Sequence, residues 1–297
     1  MSQYICVDIG GTSIKHGVLD ENAIIKECNQ TKTEAWLGGA AVLDKVKTIG
    51  KQYKEQYENI EGICISTAGM VDPEEGKIVF AGELMPDYTG TCIKKELEKA
   101  LEMPCEVEND VNCAGLAEYV SGSAKESHIM FCATVGTGIG GCAIVNGRVF
   151  HGASNSACEV GYIPMGDSDF QTLGASSILV RKVAEKKIEP LDMWDGKKIF
   201  ALAEKGDKVC ISAIKEMCDV LGKGLATICY VLNPDTIVLG GGIMVQKKNL
   251  ENEIRDSLNR YLSPILAEHL QVCFAEYGNE AGMVGALYNF QNKYGRK

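Results

Sequence analysis

Three glycine-rich turns are the residues of this chain with the most evident chemistry, because each directly follows an apolar segment typical of a strand. They are Gly10-Gly11-Thr12, Gly136-Thr137-Gly138-Ile139-Gly140-Gly141 and Gly240-Gly241-Gly242. A turn without β-carbons lets backbone N–H groups approach and surround phosphate oxygens. One such turn alone usually only reverses the chain, but three of them together indicate a nucleotide phosphate site.

The two best-known phosphate motifs do not account for these turns. Residues 136–141 fit the spelling G-x-G-x-x-G, but a strand-like segment follows them, whereas a dinucleotide fingerprint requires a helix there. The chain also contains no G-x-x-x-x-G-K-[ST] sequence. The turns therefore predict a nucleotide site of another class.

The elements that must position these turns occur twice along the chain. The first set comprises strands at 4–9, 14–18 and from 24, a helix over 42–57, a strand at 60–66, a strand at 105–107 and a helix over 111–120. The second comprises strands at 129–135 and 142–145, a long helix ending at 232 and a strand at 236–239. A shift of 126 residues places Gly10 on Gly136 and Val18 on Ile144. The repeat predicts two similar α/β domains facing each other across a cleft. The alternative is one doubly wound sheet with unrelated glycine turns.

Several motifs resemble those of a known protein family. Residues 8–12, 135–141 and 238–242 look like the two phosphate motifs and the adenosine motif of the actin-like ATPase superfamily. The segment from Glu108 to Ala114, E-N-D-V-N-C-A, resembles the N-D-x-N-x-A sequence of the ROK family of sugar kinases and repressors. Residues 159–162 resemble the family's E-x-G-H segment, and residues 281–287 its C-terminal helix. These matches cover nearly the whole chain in the family's order.

The resemblance implies an α/β protein with a duplicated actin-like (ribonuclease H-like) fold, its two lobes arranged around a central cleft. Residues 1–112 would form a small N-terminal lobe, with the C-terminal helix 280–297 packed on it, and residues 113–279 a larger lobe. ATP would be bound by the strand ends and turns, namely Asp8, Gly10, Gly11, Thr12, Gly136, Thr137, Gly138, Gly140, Gly240, Gly241 and Gly242. Asp8 would also hold Mg²⁺ through a water molecule.

The implied activity is transfer of a phosphoryl group from ATP to a hexose or hexose derivative, at its 6-hydroxyl. Asp110 would be the catalytic base that accepts the hydroxyl proton, although Asn109 and Asp110 could also simply cap a helix. Asn109 and Glu159 would bond the sugar hydroxyls. Glu83 lies where the family often has a sugar-contacting asparagine, and it could equally be an ordinary surface glutamate.

Two substitutions separate this chain from the family pattern. The family commonly has a cysteine-rich run that, with the histidine of E-x-G-H, binds zinc; residues 166–176 here contain no cysteine, and Tyr162 replaces the histidine. Thr172 stands in place of a second sugar-binding glutamate. Both changes fall on the side of the pocket that receives O1 and O2 of the sugar, so Tyr162 and Thr172 would contact the substrate, whose identity stays open.

Composition restricts the class of protein. The 297 residues carry a net charge of −10, which disfavours a surface for nucleic acid or anionic membrane. Thirteen cysteines are scattered without a C-x-x-C pair, which is typical of a reducing compartment. With no secretory signal at the N-terminus and no apolar stretch long enough to cross a bilayer, we expect a cytoplasmic protein. The resemblance implies a homodimer.

Two other functions are consistent with the same family. A sugar-responsive repressor would carry some tens of residues of DNA-binding sequence before the first phosphate motif, whereas Asp8 comes almost at once here. A catalytically silent sugar-binding protein would have no chemical use for Asp110. Turnover with any sugar in an ADP-release assay excludes both.

We expect the purified protein to carry no stoichiometric zinc, because the cysteine run is missing and Tyr162 replaces the histidine ligand. Metal analysis of protein purified without chelator checks this. About one zinc per chain, removable only with loss of the fold, would show that the segment 166–176 has been misassigned.

Overall fold

The chain forms two compact units in a computed structural model that describes residues 2–83 and 85–295. The first unit contains the chain up to Gly122, the segment His151–Ala157 and the described residues from Asn279 onward. The second unit contains Ser123–Phe150 and Cys158–Gly278. Each unit is built around one five-stranded sheet.

Among the residues that the structure describes, the first unit combines a mixed sheet with four α-helices. Its elements are β1 (Gln3–Ile9), β2 (Ser13–Asp20), β3 (Ile25–Lys32), α1 (Gly39–Gln56), β4 (Ile60–Thr67), β5 (Met70–Asp72), β6 (Lys77–Phe80), α2 (Ile93–Leu101), β7 (Cys105–Asn109), α3 (Asp110–Val120) and α10 (Ala281–Tyr294). The sheet order is β3-β2-β1-β4-β7, with β5 and β6 forming a separate hairpin. Strands β1, β4 and β7 run parallel, and β2 and β3 are antiparallel additions at the β1 edge.

The second unit repeats this arrangement with different insertions. Its elements are β8 (Ile129–Val135), β9 (Ile139–Val145), β10 (Arg148–Val149), β11 (Pro164–Met165), β12 (Ser168–Asp169), α4 (Phe170–Gly174), α5 (Ser176–Lys187), α6 (Gly196–Glu204), α7 (Lys208–Leu232), β13 (Thr236–Gly240), α8 (Lys247–Tyr261), α9 (Pro264–Ala267) and β14 (Gln271–Phe274). The sheet order is β10-β9-β8-β13-β14. Strands β8, β13 and β14 run parallel, and β9 and β10 are antiparallel.

The two sheets therefore share one topology, in which a parallel core of three strands carries a two-stranded antiparallel extension. The first strands, β1 and β8, begin and end 126 residues apart, as the sequence repeat predicts. The duplicated α/β fold is confirmed. Within the described residues, no helix is long and apolar enough to cross a bilayer.

The apolar periodicity of the sequence explains how the helices pack. On α1, the helix predicted over 42–57, the side chains of Val42, Val46, Ile49 and Tyr53 recur every three or four residues and are all buried in the core of the first unit. The long helix α7 buries a corresponding stripe in the core of the second unit and ends at Asn233, which takes a left-handed φ of 50° before Pro234. The two units thus have separate hydrophobic cores.

The predicted lobe boundary at residue 112 falls inside α3, so a division there would cut a helix. The contact-defined first unit continues to Gly122 and also takes in residues 151–157. It includes α10 as well. The assignment of 1–112 and 113–279 to two lobes stays a prediction.

Helix α10 lies very close to α3 because small residues face each other. A β-carbon added at Gly285 would lie 1.8 Å from the carbonyl oxygen of Cys113, which is far inside van der Waals contact. A β-carbon at Gly62 of β4 would lie 2.4 Å from the ring of Phe290 on α10. Two glycines therefore allow α10 to pack against both the helix that carries Asp110 and the central sheet.

We expect Gly285→Ala to lower the free energy of unfolding by about 1–3 kcal/mol or more, because α3 and α10 must move apart to accept the methyl group. The matched control is Gly196→Ala, since an added β-carbon at Gly196 meets no atom within 4 Å. Urea denaturation measures both. A helical glycine changed to alanine without a clash is normally stabilising, so stabilisation by Gly285→Ala would contradict the close packing.

Candidate active site

Asp8 is the second-last residue of β1, separated from the first glycine-rich turn only by Ile9. The Ser66 hydroxyl donates to its Oδ1 at 2.7 Å, and the Lys15 ammonium lies 3.8 Å from its Oδ2. A β-carbon at Gly282 would lie 2.5 Å from its carboxyl carbon, so the start of α10 closes over it. Burial raises the pKa of Asp8, and Ser66 and Lys15 oppose that shift. Asp8 is therefore a partly buried, oriented carboxylate.

The parallel register of three strands brings polar residues into one row. Asp8 of β1 is paired with Ser66 of β4, and Ser66 with Glu108 of β7. In the next pair, Thr67 lies beside Asn109. Because the carboxyl ends of parallel strands meet at one edge of the sheet, residues far apart in sequence become neighbours there.

Asn109 caps helix α3. It has an extended backbone, and its side-chain oxygen accepts from the amides of Val111 at 2.9 Å and Asn112 at 3.1 Å. Its amide nitrogen donates to the Gly69 carbonyl oxygen at 2.9 Å and to Asp110 Oδ1 at 3.0 Å. Asn109 thus fills the capping position and Asp110 is the first helical residue. The predicted contact of Asn109 with a sugar stays a prediction, and a hydroxyl would have to share these bonds.

Asp110 has the properties of a proton acceptor near neutral pH. Burial, and then the nearby charge of Asp8, raise its pKa from 3.8 to about 7. The amide of Val111 and the side chain of Asn109 donate to the carboxylate and limit the shift. Since a general base works best when its pKa is close to the working pH, this environment suits the predicted role.

The second glycine-rich turn joins β8 to β9. The two strands are antiparallel, with Val135 paired to Ile139, so a hairpin follows the turn as predicted. The Gly136 carbonyl oxygen accepts from both the amide and the hydroxyl of Ser176 at 3.0 and 2.6 Å. The Ser177 hydroxyl donates to the carbonyl oxygen of Thr137 at 2.7 Å. The start of α5 therefore fixes the shape of the turn.

The third glycine-rich turn follows β13 and contacts the strand that leads into the second. Gly241 has a φ of 96°, and a β-carbon there would lie 2.3 Å from the Val135 carbonyl oxygen. Only glycine fits such a position without strain. The close approach places the turns after β8 and β13 beside each other within the second unit.

These two turns line one cavity of about 660 Å³. Its wall is formed by the turns, the start of α5, the start of α6 and the 3₁₀ turn after β13, namely Gly136, Thr137, Ser176, Val180, Asp195, Gly196, Lys197, Gly242, Ile243, Val245 and Gln246. A β-carbon added at Gly136 or Gly242 would meet nothing within 4 Å, and the same holds for Gly11 in the first unit. Each predicted turn thus keeps open space where a ligand could reach the backbone.

The residues predicted on the O1/O2 side of a sugar come from one part of the second unit. Glu159 precedes a 3₁₀ turn (Val160–Tyr162), and Phe170 at the start of α4 donates its amide to the Ile163 carbonyl oxygen at 3.0 Å. Burial raises the pKa of Glu159. Tyr162 is 60% exposed, and Thr172 on α4 is exposed as well. All three side chains can therefore reach a ligand from solvent.

Glu83 is exposed in the loop after β6, beside a residue outside the described part of the chain. Its predicted contact with a sugar stays a prediction. Among residues 2–83 and 85–295, no group of three or more histidine, cysteine or acidic side chains could hold a metal ion.

Several residues of the site carry no signal in the sequence. Ser66 orients Asp8 through a hydrogen bond. Ser176 and Ser177 donate hydrogen bonds to the second turn. Asp195 and Lys197 line the cavity. Gln171 is a further example: its side-chain oxygen would lie 2.7 Å from a β-carbon at Gly138 and 2.9 Å from one at Gly161. These residues are brought in by tertiary packing, which the motifs do not describe.

Comparison with known proteins agrees with this geometry. The model of the ROK family matches residues 4–293. An uncharacterized protein of Clostridium perfringens is 44% identical over 297 residues, covering 100% of both chains. A beta-glucoside kinase of Klebsiella pneumoniae is 30% identical over 295 residues, covering 97% of this chain and 95% of that protein.

A solved structure is similar to this chain over nearly the full length of both. The ROK family glucokinase of Streptomyces griseus, crystallised with glucose and AMPPNP, superimposes with a TM-score of 0.83 at 28% identity. The match covers 97% of this chain and 98% of that one. With a family match over nearly its full length and a relative of 30% identity, this chain belongs to the ROK family.

Proposed function

We propose that this ROK protein is an ATP-dependent sugar kinase that uses Asp110 as general base on a hexose or hexose derivative. The observation that carries the proposal is the environment of Asp110, a carboxylate with a pKa of about 7 at the start of α3, beside the Asp8 turn. A binding protein needs no such base. The related glucokinase and beta-glucoside kinase support the class of substrate.

The reaction requires one proton acceptor and an in-line phosphoryl transfer. Asp110 takes the proton of the 6-hydroxyl as that oxygen forms its bond to the γ-phosphorus. The bond from the γ-phosphorus to the bridging oxygen breaks, and ADP leaves with the electron pair. Because the transition state is loose, the protein contributes mainly position and charge.

ATP would occupy the 660 Å³ cavity of the second unit. At Gly136 and Gly242 the space where a β-carbon would stand is open, so phosphate oxygens could approach the backbone of both turns. Lys197 at the start of α6 lines the same cavity and would add a positive charge. The cavity is large enough for a nucleotide.

Mg²⁺ would be held by Asp8 through water. The Asp8 carboxylate has one oxygen occupied by Ser66 and a second that Lys15 approaches only to 3.8 Å. A single oriented carboxylate suits a cation that keeps most of its water ligands. When bound, the ion neutralises charge on the transferred phosphoryl group, and it would also lower the pKa of Asp110.

The sugar is a hexose modified near C1 or C2, such as a glycoside or an N-acylated sugar. Tyr162 and Thr172 replace a histidine and a glutamate of the family pattern, and both side chains are exposed on the second unit. Loss of a carboxylate removes a strong acceptor for a free hydroxyl, and threonine leaves more room. A site without that partner no longer discriminates against an analogue that lacks the hydroxyl.

We expect an ADP-release assay to show turnover with at least one hexose, and higher kcat/KM for a β-glucoside disaccharide, N-acetylmannosamine or N-acetylglucosamine than for glucose. The four sugars are compared at saturating MgATP. Free glucose preferred by more than about tenfold, roughly 1.4 kcal/mol, would refute the modified sugar but leave the kinase intact. No turnover above background with a wide panel of sugars would refute the kinase.

We expect Asp110→Asn to lower kcat by about 10²–10⁴-fold with little change in sugar and nucleotide binding, because the amide cannot accept the hydroxyl proton. Asp192→Asn, at an exposed aspartate, is the control. Near-normal kcat in the Asp110 variant would mean that Asp110 is not the base.

The same variant has a signature that does not depend on turnover. Because the pKa of Asp110 is raised in the folded state, its contribution to stability is full below about pH 3.8 and is lost as the pH rises through about 7. Asparagine cannot ionise, so the variant escapes this loss. In Mg²⁺-free buffer, the difference in free energy of unfolding between Asp110→Asn and the wild type should therefore favour the variant more at pH 8 than at pH 5. An equal effect at both pH values would contradict the raised pKa.

A further inference from the structure

The segment His151–Ala157 differs from its neighbours in the chain because it packs with the first unit. The residues on both sides, Ser123–Phe150 and Cys158–Gly278, belong to the second unit. A hydrogen bond joins the two ends of the segment, since the Ala157 amide donates to the His151 carbonyl oxygen at 3.0 Å. No motif of the sequence accounts for its first residue, His151.

His151 is bonded to a buried carboxylate. Its Nε2 lies 2.7 Å from Oε2 of Glu108, whose side chain is 1% exposed. The other oxygen of Glu108 accepts from the Asn109 amide at 2.8 Å and from the Asn112 side chain at 2.9 Å. A buried carboxylate is costly unless it is paired and hydrogen-bonded. His151 therefore supplies the ion-pair partner that Glu108 needs.

The partners of Glu108 lie on both sides of Asp110 in the chain. Asn109 holds the Asp110 carboxylate through its side-chain amide at 3.0 Å and caps α3. Asn112 is bonded to Asn109 through its backbone and to Glu108 through its side chain. A continuous set of hydrogen bonds thus runs from His151 through Glu108 and Asn109 to the proposed base.

We propose that His151 is a positioning residue for catalysis: by neutralising Glu108, it fixes the start of α3 and with it the carboxylate of Asp110. This proposal rests on the proposed kinase function for its effect on turnover. Its structural part, the ordering of the start of α3 by His151, can be tested without any substrate.

The charges around His151 favour its protonated form. Its hydrogen bond to Glu108 raises the pKa of the imidazole, and the charges of Glu74 and Asp72 in the β5–β6 hairpin raise it further, against the effect of burial. Lys293 of α10 forms an ion pair with Glu74. The stabilisation by the ion pair is therefore full below pH 6.5 and is lost as the pH rises through the higher pKa of the folded state.

The first test is His151→Leu, which removes the donor and leaves Glu108 without its partner. We expect kcat to fall about 10- to 100-fold, because a small misplacement of the base is costly, while KM for MgATP changes less than about threefold. The matched control is His269→Leu, at an exposed histidine. Normal kcat in a folded His151→Leu protein would overturn the proposal.

The second test is His151→Gln, whose side-chain amide can still donate to Glu108 but cannot titrate. We expect it to recover most of the kcat lost in the leucine variant. In the wild type, kcat should fall about fivefold as the pH rises above the pKa of His151, because the charged hydrogen bond from His151 to Glu108 then becomes a neutral one. That fall should be absent from the glutamine variant. If the wild type and the glutamine variant show the same dependence of kcat on pH, the proposal is overturned, even if the leucine variant does not fold.

Amide hydrogen exchange separates this proposal from the kinase proposal. In the protein without ligands, His151→Leu should speed exchange at Val111 and Asn112, whose amides bond to Asn109, by at least about tenfold relative to His269→Leu. Faster exchange without any sugar turnover in the wild type would leave the positioning role standing and refute the kinase. Unchanged exchange at both amides would refute the positioning role.

Discussion

The parallel pairing of β1, β4 and β7 is the constraint on which the first unit depends. It places Asp8, Ser66 and Glu108 in one row across the sheet, with Asp110 just beyond it. Burial raises the pKa of both Asp8 and Asp110, because a carboxylate is less stable where water cannot reach it. Asp8 is bonded by the Ser66 hydroxyl and Glu108 by His151, whereas burial and the charge of Asp8 raise the pKa of Asp110 to about 7.

Asn109 occupies the N-cap position of α3, which leaves the carboxylate of Asp110 free of the capping role. Two good capping residues stand next to each other at the strand-to-helix junction, and only one can take the capping geometry. Asn109 takes it, with an extended backbone and bonds to two helix amides. Asp110 accepts a bond from one amide, and its carboxylate is otherwise held by Asn109. Because both residues suit both positions, the sequence alone leaves the two roles open.

Local pattern was sufficient to predict most of the fold. The strand at 129–135, the stripe on α1, the hairpin after Gly136 and the repeat of topology all depend on short-range periodicity and glycine placement. Local sequence pattern does not predict contacts between residues that are far apart in the chain. His151 and Glu108 are 43 positions apart, and no periodicity shows that a loop flanked by one unit packs with the other. The contacts of Ser176 and Gln171 with the second glycine-rich turn cannot be predicted from the sequence for the same reason.

The packing of α10 has a consequence for how the chain acquires its structure during synthesis. The first unit needs α10 to cover Gly62 and the back of α3, yet α10 is made after every strand of the second unit. On the ribosome, the segments of the second unit are complete while the first still exposes apolar surface that Phe290 will bury. The unit that carries Asp110 is thus begun first during synthesis, but it can complete its packing only after α10 has been made.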